Sequence, residues 1–204
     1  HEGKAIMPKA QPGDLKFKDI NGDGKIDEHD RVKIGSPHPK ITYGLTLSGD
    51  YKGIDFSVFF QGSGGNKILN IFKYDIYSGT GWYNAPKDIF DKFWTGPGTT
   101  NKNYGINAET RMNQEMSDWY VESGSYLRCK NVTLGYTLPK SLTDKMKIRD
   151  LRFYISGQNL FTITPYSGLE PEIGNTNPQY SGIDTGFYPQ SRVIMFGLSF
   201  KIGR

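Results

Sequence analysis

Only one cysteine, Cys129, occurs in 204 residues, so no internal disulfide forms and no cysteine-based metal site is expected. No uninterrupted apolar run reaches the ~18 residues of a membrane-spanning helix. Alanine, leucine and glutamate are scarce, which argues against coiled coils and helical bundles. Neither sign of charge dominates: 25 Lys and Arg face 21 Asp and Glu, for a net +4. The basic residues are scattered rather than gathered in a stripe, so nucleic acid is not an expected partner. No basic, then apolar, leader follows His1, so a signal peptide is not expected in this stretch. What the chain does have is glycine and proline, 25 and 11 of 204 residues, against a usual combined share of about 12%. Aromatics reach 14%; with β-branched residues also plentiful, disorder is disfavoured. The composition suits many short strands joined by turns and long loops.

Five segments alternate with period two, the mark of a strand between two different environments. The expected strands are 41–50, 54–62, 125–138, 151–164 and 191–202. In the first, Ile41, Tyr43, Leu45 and Leu47 oppose Thr42, Gly44, Thr46 and Ser48. The connection at Asp50–Gly53 reads as a hairpin turn. In the third, Tyr126, Arg128, Lys130, Val132, Leu134 and Tyr136 form one series, and Leu127, Cys129, Asn131, Thr133 and Gly135 the other. In the fourth, Leu151, Phe153, Ile155, Gly157 and Asn159 oppose Arg152, Tyr154, Ser156 and Gln158. The last alternates Ile194, Phe196, Leu198, Phe200 and Ile202 with Met195, Gly197, Ser199 and Lys201. A short helix is expected within Lys87–Trp94, and one helical turn within Pro139–Asp150.

Connection lengths alternate as well: short at 50–53, long at 62–124, shorter at 139–150, long at 165–190. A transmembrane β-barrel has tilted strands of about 9–11 residues, short turns at one end and long loops at the other. The alternative is a soluble β-sandwich, in which the apolar faces pair into one core; a secreted, calcium-dependent, carbohydrate-binding sandwich is the rival function. Five strands do not close a barrel, since the smallest need about eight. Under the barrel reading the chain is one part of a larger wall.

Residues 19–30 follow the grammar of a calcium loop. Oxygen donors fall at positions 1, 3, 5 and 9 (Asp19, Asn21, Asp23, Asp27), with Gly24 at position 6 for the sharp turn. The Lys25 carbonyl stands at position 7, and Asp30 replaces the usual Glu at position 12. A hard cation needs several oxygens from one short segment, and this spacing supplies them. The flanks, Leu15–Lys18 and Arg31–Ile34, look like strands rather than EF-hand helices. The expectation is a structural Ca2+ held by Asp19, Asn21, Asp23, Lys25, Asp27 and Asp30; the competing reading is an ion-free acidic turn.

Other candidates carry less. Trp82, Tyr83, Trp94, Trp119 and Tyr120 suit sugar stacking, but loop packing or an interfacial aromatic girdle explains them more simply. Glu170 and Glu172 imitate a glycosidase pair, yet acids two apart in a loop read as solvated. No Ser-His-Asp order or nucleophile elbow exists, and no enzyme activity is expected. Cys129 reads as a packed thiol.

Six phrases together resemble the carboxyl-terminal part of the SusC/RagA family of TonB-dependent outer-membrane transporters. They are GDLKFKDINGDGKIDEHDRVKIGSPHPKITYGL (13–45), IDFSVFFQGSGGN (54–66), ESGSYLRCKNVTLGYTLP (122–139), LRFYISGQNLFTIT (151–164), YSGLEPEIG (166–174) and FYPQSRVIMFGLSFKI (187–202). The resemblance implies an all-β fold: the last five antiparallel strands of a transmembrane barrel of about 22 strands with long extracellular loops. Residues 1–40 would be an extracellular loop segment and 41–204 the barrel portion. It implies location in the bacterial outer membrane and import of glycan fragments, peptides or similar large nutrients. The implied partners are the rest of the barrel and its plug, a SusD-like surface lipoprotein, the TonB complex and the lipid bilayer. Arg152, Tyr154, Ser156 and Gln158 would face the lumen. The substrate-binding residues are not indicated.

Overall fold

The computed structural model describes residues 5–77, 83–100, 102–105, 113, 115–144, 148–174 and 177–202. Among these the strands are β1 (Ile41–Tyr51), β2 (Ile54–Gly64), β3 (Lys67–Asn70), β4 (Val121–Ser123), β5 (Tyr126–Thr137), β6 (Ile148–Ile163), β7 (Ile183–Asp184) and β8 (Val193–Ile202). Short helices are α1 (Ile71–Tyr77), α2 (Ile89–Lys92) and α3 (Lys140–Thr143). The chain falls into two compact units. One holds His1–Gly35, Leu69–Glu122 and Ile183–Gly186; the other holds Ser36–Ile68, Ser123–Gly182 and Phe187–Arg204.

The second unit is built on a five-stranded antiparallel sheet in the order β1-β2-β5-β6-β8. Its strands are the five anticipated from alternation, with ends moved by a few residues. β1 and β2 join through Lys52 (φ 49) and Gly53 (φ 84). Two central residues at positive φ match the right-handed twist of the flanking strands. α2 and α3 fall inside the two segments where helix was expected.

One alternation is corrected. β5 pairs Phe60 with Cys129 but Phe59 with Asn131, so Lys130 is an extra residue on that strand. Such a bulge moves side chains beyond it to the opposite face. Leu127 and Cys129 therefore share a face with Val132, Leu134 and Tyr136, while Tyr126 and Arg128 join Asn131, Thr133 and Gly135. β6 carries irregularities of its own beside Asp150 (φ 53) and Asn159 (φ 51).

With that phase shift, one face becomes apolar from end to end. It carries Ile41, Leu45 and Leu47 of β1, Ile54 and Phe56 of β2, Leu134 of β5, Phe153 and Ile155 of β6, and Ile194, Phe196 and Leu198 of β8. All are exposed, Ile41 at 59% and Phe196 at 81%. A water-soluble monomer rarely shows so large a contiguous apolar surface. A sandwich would cover this face, and it is bare.

The opposite face is tied together by side chains. Arg152 of β6 reaches across β5 to grip Asp55 of β2 with two bonds, Nε to Oδ1 at 2.8 Å and Nη2 to Oδ2 at 2.5 Å. It passes over Gly135, where a Cβ would stand 2.3 Å from Nη2. The Tyr154 ring likewise lies over Gly197, 2.0 Å from where a Cβ would be, and under the Arg152 guanidinium at 4.9 Å. These two glycines are open ground for the side chains that cross them.

The first unit has a three-stranded sheet, order β4-β3-β7, in which Leu69 and Asn70 pair parallel with Ile183 and Asp184. Its core is aromatic: Ile89, Phe93 and Tyr104, with Leu15, Tyr77 and Trp119 packed against them. The expected strands at 15–18 and 31–34 belong to no sheet. They lack pairing partners, and the alternation there reflects charge spacing alone.

In the full-length protein, Gly135→Val should eject Arg152 from its crossing and uncouple it from Asp55. The expected loss is about 1–3 kcal/mol, the usual penalty for forcing volume into a packed site. Urea unfolding in detergent measures it, and an unchanged midpoint would contradict the crossing geometry.

Candidate functional site

Three clusters of functional side chains stand out. The first is the wall face opposite the apolar band. The four residues expected toward a lumen, Arg152, Tyr154, Ser156 and Gln158, all stand on it. Arg152 and Tyr154 make the stack described above. Ser156 is buried with its hydroxyl 3.3 Å from Thr133 Oγ1, and Thr133 donates its one hydroxyl hydrogen to Asn131 Oδ1 at 3.1 Å. Gln158 stands opposite Asn131 on β5 and Val193 on β8. Apolar Phe59 and Met195 share this face, so it is mixed rather than wholly polar.

The second cluster anchors the loops that follow β6. Arg128 is 3% exposed and projects to the mixed face because of the bulge at Lys130. Its Nε donates to Thr162 Oγ1 at 2.8 Å, Nη1 to Glu172 Oε2 at 3.1 Å, and Nη2 to Glu170 Oε1. Lys130 Nζ adds a bond to Glu172 Oε2 at 2.8 Å. Gln190 completes the cage, its backbone N–H donating to Glu170 Oε2 at 3.1 Å and its Nε2 to Glu172 Oε2 at 3.0 Å. Glu170 and Glu172 are thus ion-paired rather than solvated, a correction to the sequence reading. Glu170 accepts at both oxygens and Glu172 gathers three donors on Oε2, so the two acids serve as anchors for the loop.

The third is the acidic loop. Asp19 accepts the Gly22 and Gly24 amides at 2.6 and 2.8 Å. Asn21 accepts Asp23 N at 3.0 Å, and Asp23 accepts Lys25 N at 2.9 Å. Asp27 caps a 3-10 turn over Glu28–Asp30, and Asp30 returns the bond to the Asp27 amide at 2.9 Å, a capping box. Asp30 also accepts Ile20 N at 2.7 Å, tying the two ends of the loop. The donors are all oxygen, as a hard cation requires, but each carboxylate is aimed at backbone amides. Among the described residues no three His, Cys, Asp or Glu side chains converge as a metal-ligand set. The His29 amide holds Asp27 below the usual carboxylate range, and the Asp27 and Ile20 amides do the same for Asp30.

The loop aromatics mostly pack on one another. Trp119 meets Tyr104 and Tyr120 at 4.8 Å between ring centres, with Lys73 Nζ 3.7 Å over its ring. Tyr120 is wholly buried and donates to the Asn113 carbonyl at 2.7 Å. Burial raises the Tyr120 phenol and, together with the bond to Asp88, pushes Tyr77 up to about 12. Trp94 makes an isolated bridge to Gly105, Tyr83 is exposed, and Trp82 lies outside the described residues. Cys129 is buried between Phe60 and Phe161 in the ladder, as a packed thiol should be.

Two outcomes follow from the anchors. Arg128→Met should leave Glu170 buried without its cation, a change that costs about 3–5 kcal/mol; faster proteolytic nicking at 166–174 in the full-length protein reports it. Asp27 and Asp30 have depressed values, so their bonds are fully present above the ordinary aspartate value of 3.8 and are lost as pH falls below it. The protection factors of the Ile20 and His29 amides, taken against the intrinsic exchange rate at each pH, should fall in that acidic window and stay level above it.

No protein-family model matches the chain. TonB-dependent receptor P3 of Formosa agariphila is 37% identical over 207 residues, covering 98% of this chain and 20% of that protein. TonB-dependent receptor SusC of Bacteroides thetaiotaomicron is 30% identical over 192 residues, covering 94% and 18%. Among solved structures, the RagAB peptide transporter superposes with a TM-score of 0.70 at 26% identity, covering 86% of this chain and 19% of that one. The closed-closed state of the RagAB peptide importer gives 0.68 at 26%, covering 92% and 20%. The chain spans about a fifth of the length of the curated relatives it matches. Similarity along nearly its whole length, joined to a sheet apolar on one face and hydrogen-bonded on the other, places this stretch in a bacterial outer-membrane barrel wall: the chain belongs to the SusC/RagA family of TonB-dependent receptors.

Proposed function

We propose that the chain supplies five strands near the carboxyl end of a barrel of about 22 strands, in a receptor that imports glycan fragments, peptides or similar large nutrients. The observation that carries this is the two-faced sheet with its long connections, β2 to β5 and β6 to β8, at one end and its short ones at the other. That pattern orients the wall, with long loops outward. The mixed face, with Arg152, Tyr154, Ser156 and Gln158, lines the lumen, where cargo meets hydrogen-bonding groups. A plug from the same receptor fills that lumen, a SusD-like lipoprotein closes the outer mouth, and the TonB complex drives plug movement. No covalent chemistry is part of the cycle. Residues 1–40 lie on the extracellular side, and the loop at 19–30 binds calcium structurally, through Asp19, Asp23, Asp27 and Asp30 with Asn21 and the Lys25 carbonyl.

Uptake of labelled oligopeptides and of labelled glycan fragments should be compared in the parent, a receptor deletion and a TonB-deficient strain. One cargo class should be lost in both mutants; uptake that persists without TonB sinks the coupling. An epitope inserted after Gly174, where space is open, should bind antibody on intact cells. Affinity purification of the receptor should bring down a surface lipoprotein. For the loop, millimolar calcium should slow proteolysis at 19–30 in the full receptor and fail to do so in Asp19→Asn. Equal cleavage with and without calcium rules the site out.

A further inference from the structure

We propose that the outward end of this wall carries a seat for the phosphate of an anionic membrane lipid, with Arg192 as its cation. β6 runs beyond its last pair with β8, Gln158 with Val193, so the stretch from Asn159 to Ile163 has no β8 residue beside it. A cavity of about 360 Å³ fills that gap, lined among others by Asn159, Phe161, Leu169, Gln190 and Arg192. The loop anchors keep it open: Asn159 Nδ2 holds the Ser191 carbonyl at 3.1 Å, and Gln190 is fixed to Glu170 and Glu172.

Placement decides the ligand class. Along β8 the even positions, Ile194, Phe196, Leu198 and Phe200, form the apolar band, and Arg192 continues that series just past the strand's first residue. Its side chain is exposed, as are Phe161 at 46% and Leu169 at 53%. Among the described residues no carboxylate pairs with Arg192. Glu170, which also lines the cavity, is committed to Arg128 and the Gln190 amide. Arg128 also lines the cavity but is committed to Glu170 and Glu172, so Arg192 is the guanidinium left at the edge of the apolar surface, at the end where long connections leave the sheet. A planar guanidinium there suits a phosphate bidentately. The apolar band below it and Phe161 and Leu169 beside it suit the acyl chains of the same molecule. A soluble anion uses the charge alone; a lipid uses both, so a phosphate-bearing lipid is the occupant.

This seat rests on the outward orientation proposed above. The test uses the full receptor, purified in neutral detergent, as wild type, Arg192→Gln and Arg192→Lys. Binding is read by native mass spectrometry and by thermal shift in nanodiscs of phosphatidylcholine with or without phosphatidic acid, and separately with inorganic phosphate. Phosphatidic acid should bind and stabilise the wild type. Arg192→Gln should weaken it about tenfold, the scale of one charge-assisted hydrogen bond, and Arg192→Lys, which keeps the charge but loses the planar fork, should fall between the two. Equal phosphatidic-acid binding by wild type and Arg192→Gln overturns the proposal. So does full stabilisation by inorganic phosphate alone, which makes the site one for soluble anions. If the Gly174 epitope is hidden on intact cells while the Arg192 dependence holds, the orientation fails and the lipid seat stands.

Discussion

Everything in the larger unit depends on one constraint: a strand crossing a bilayer satisfies its backbone only through its neighbours, and has lipid on one face and not on the other. There is no core behind such a sheet. The side chains that would fill an interior in a soluble protein, Leu45, Phe56, Leu134, Ile155 and Leu198, are exposed in this chain. Cohesion across the strands then comes from the ladders and from bonds on the mixed face. Arg152 illustrates the second: it sits on β6 but holds Asp55 on β2, bridging the intervening strand β5. Side chains spanning three strands need a low surface between them, and Gly135 provides it. Among the described residues the outer edges of β1 and β8 have no partner within this sheet, and under the transport reading further strands complete the wall.

The bulge at Lys130 follows from the same constraint. Without it, a strict alternation would put Arg128 on the same face as Val132 and Leu134, where lipid offers a guanidinium no partner. One inserted residue turns Arg128 to the mixed face and Leu127 and Cys129 to the apolar one. There Arg128 is buried and needs compensating acid, which Glu170 and Glu172 supply from the loop after β6. Lys130, the inserted residue itself, reaches Glu172 as well. A local change in strand phase thus sets where a distant loop is held.

The strands were legible because period two survives in any sequence that faces two solvents. Long against short connections then suggested the orientation proposed above, and short helices were expected in the segments that hold α2 and α3. The bulge was hidden for a simple reason: the series Tyr126, Arg128, Lys130 reads as polar alternation on either side of it. The signal that does exist is a phase slip, with apolar residues at Leu127 and Cys129 and then at Val132, Leu134 and Tyr136. The Arg128–Glu170 pair was invisible because its members lie 42 residues apart, and nothing local marks either as a partner. The acidic loop shows the converse. Its spacing is plain in sequence, but spacing does not decide whether Asp27 and Asp30 point at an ion or at each other's amides. Of the aromatic cluster of Tyr77, Phe93, Tyr104 and Trp119, only Trp119 was anticipated as loop packing, since the members come from segments without periodicity.

The distribution of charge bears on what such a wall can select. On the mixed face of the central strands β2, β5 and β6 the described ionic groups are already engaged, Arg152 with Asp55 and Arg128 and Lys130 with Glu170 and Glu172, while Asp50 of the edge strand β1 stands opposite Asp55. Breaking one of these pairs to greet a charged cargo would expose a poorly solvated partner, which is costly. Neutral donors and acceptors, Tyr154, Ser156, Gln158, Asn131 and Thr133, are the groups left to interact at low cost. Under the transport reading, this stretch therefore contributes a polar but electrically quiet surface, suited to letting varied cargo slide. Discrimination by charge would then come from elsewhere in the receptor, consistent with a fold whose wall is general and whose specificity is grafted onto it.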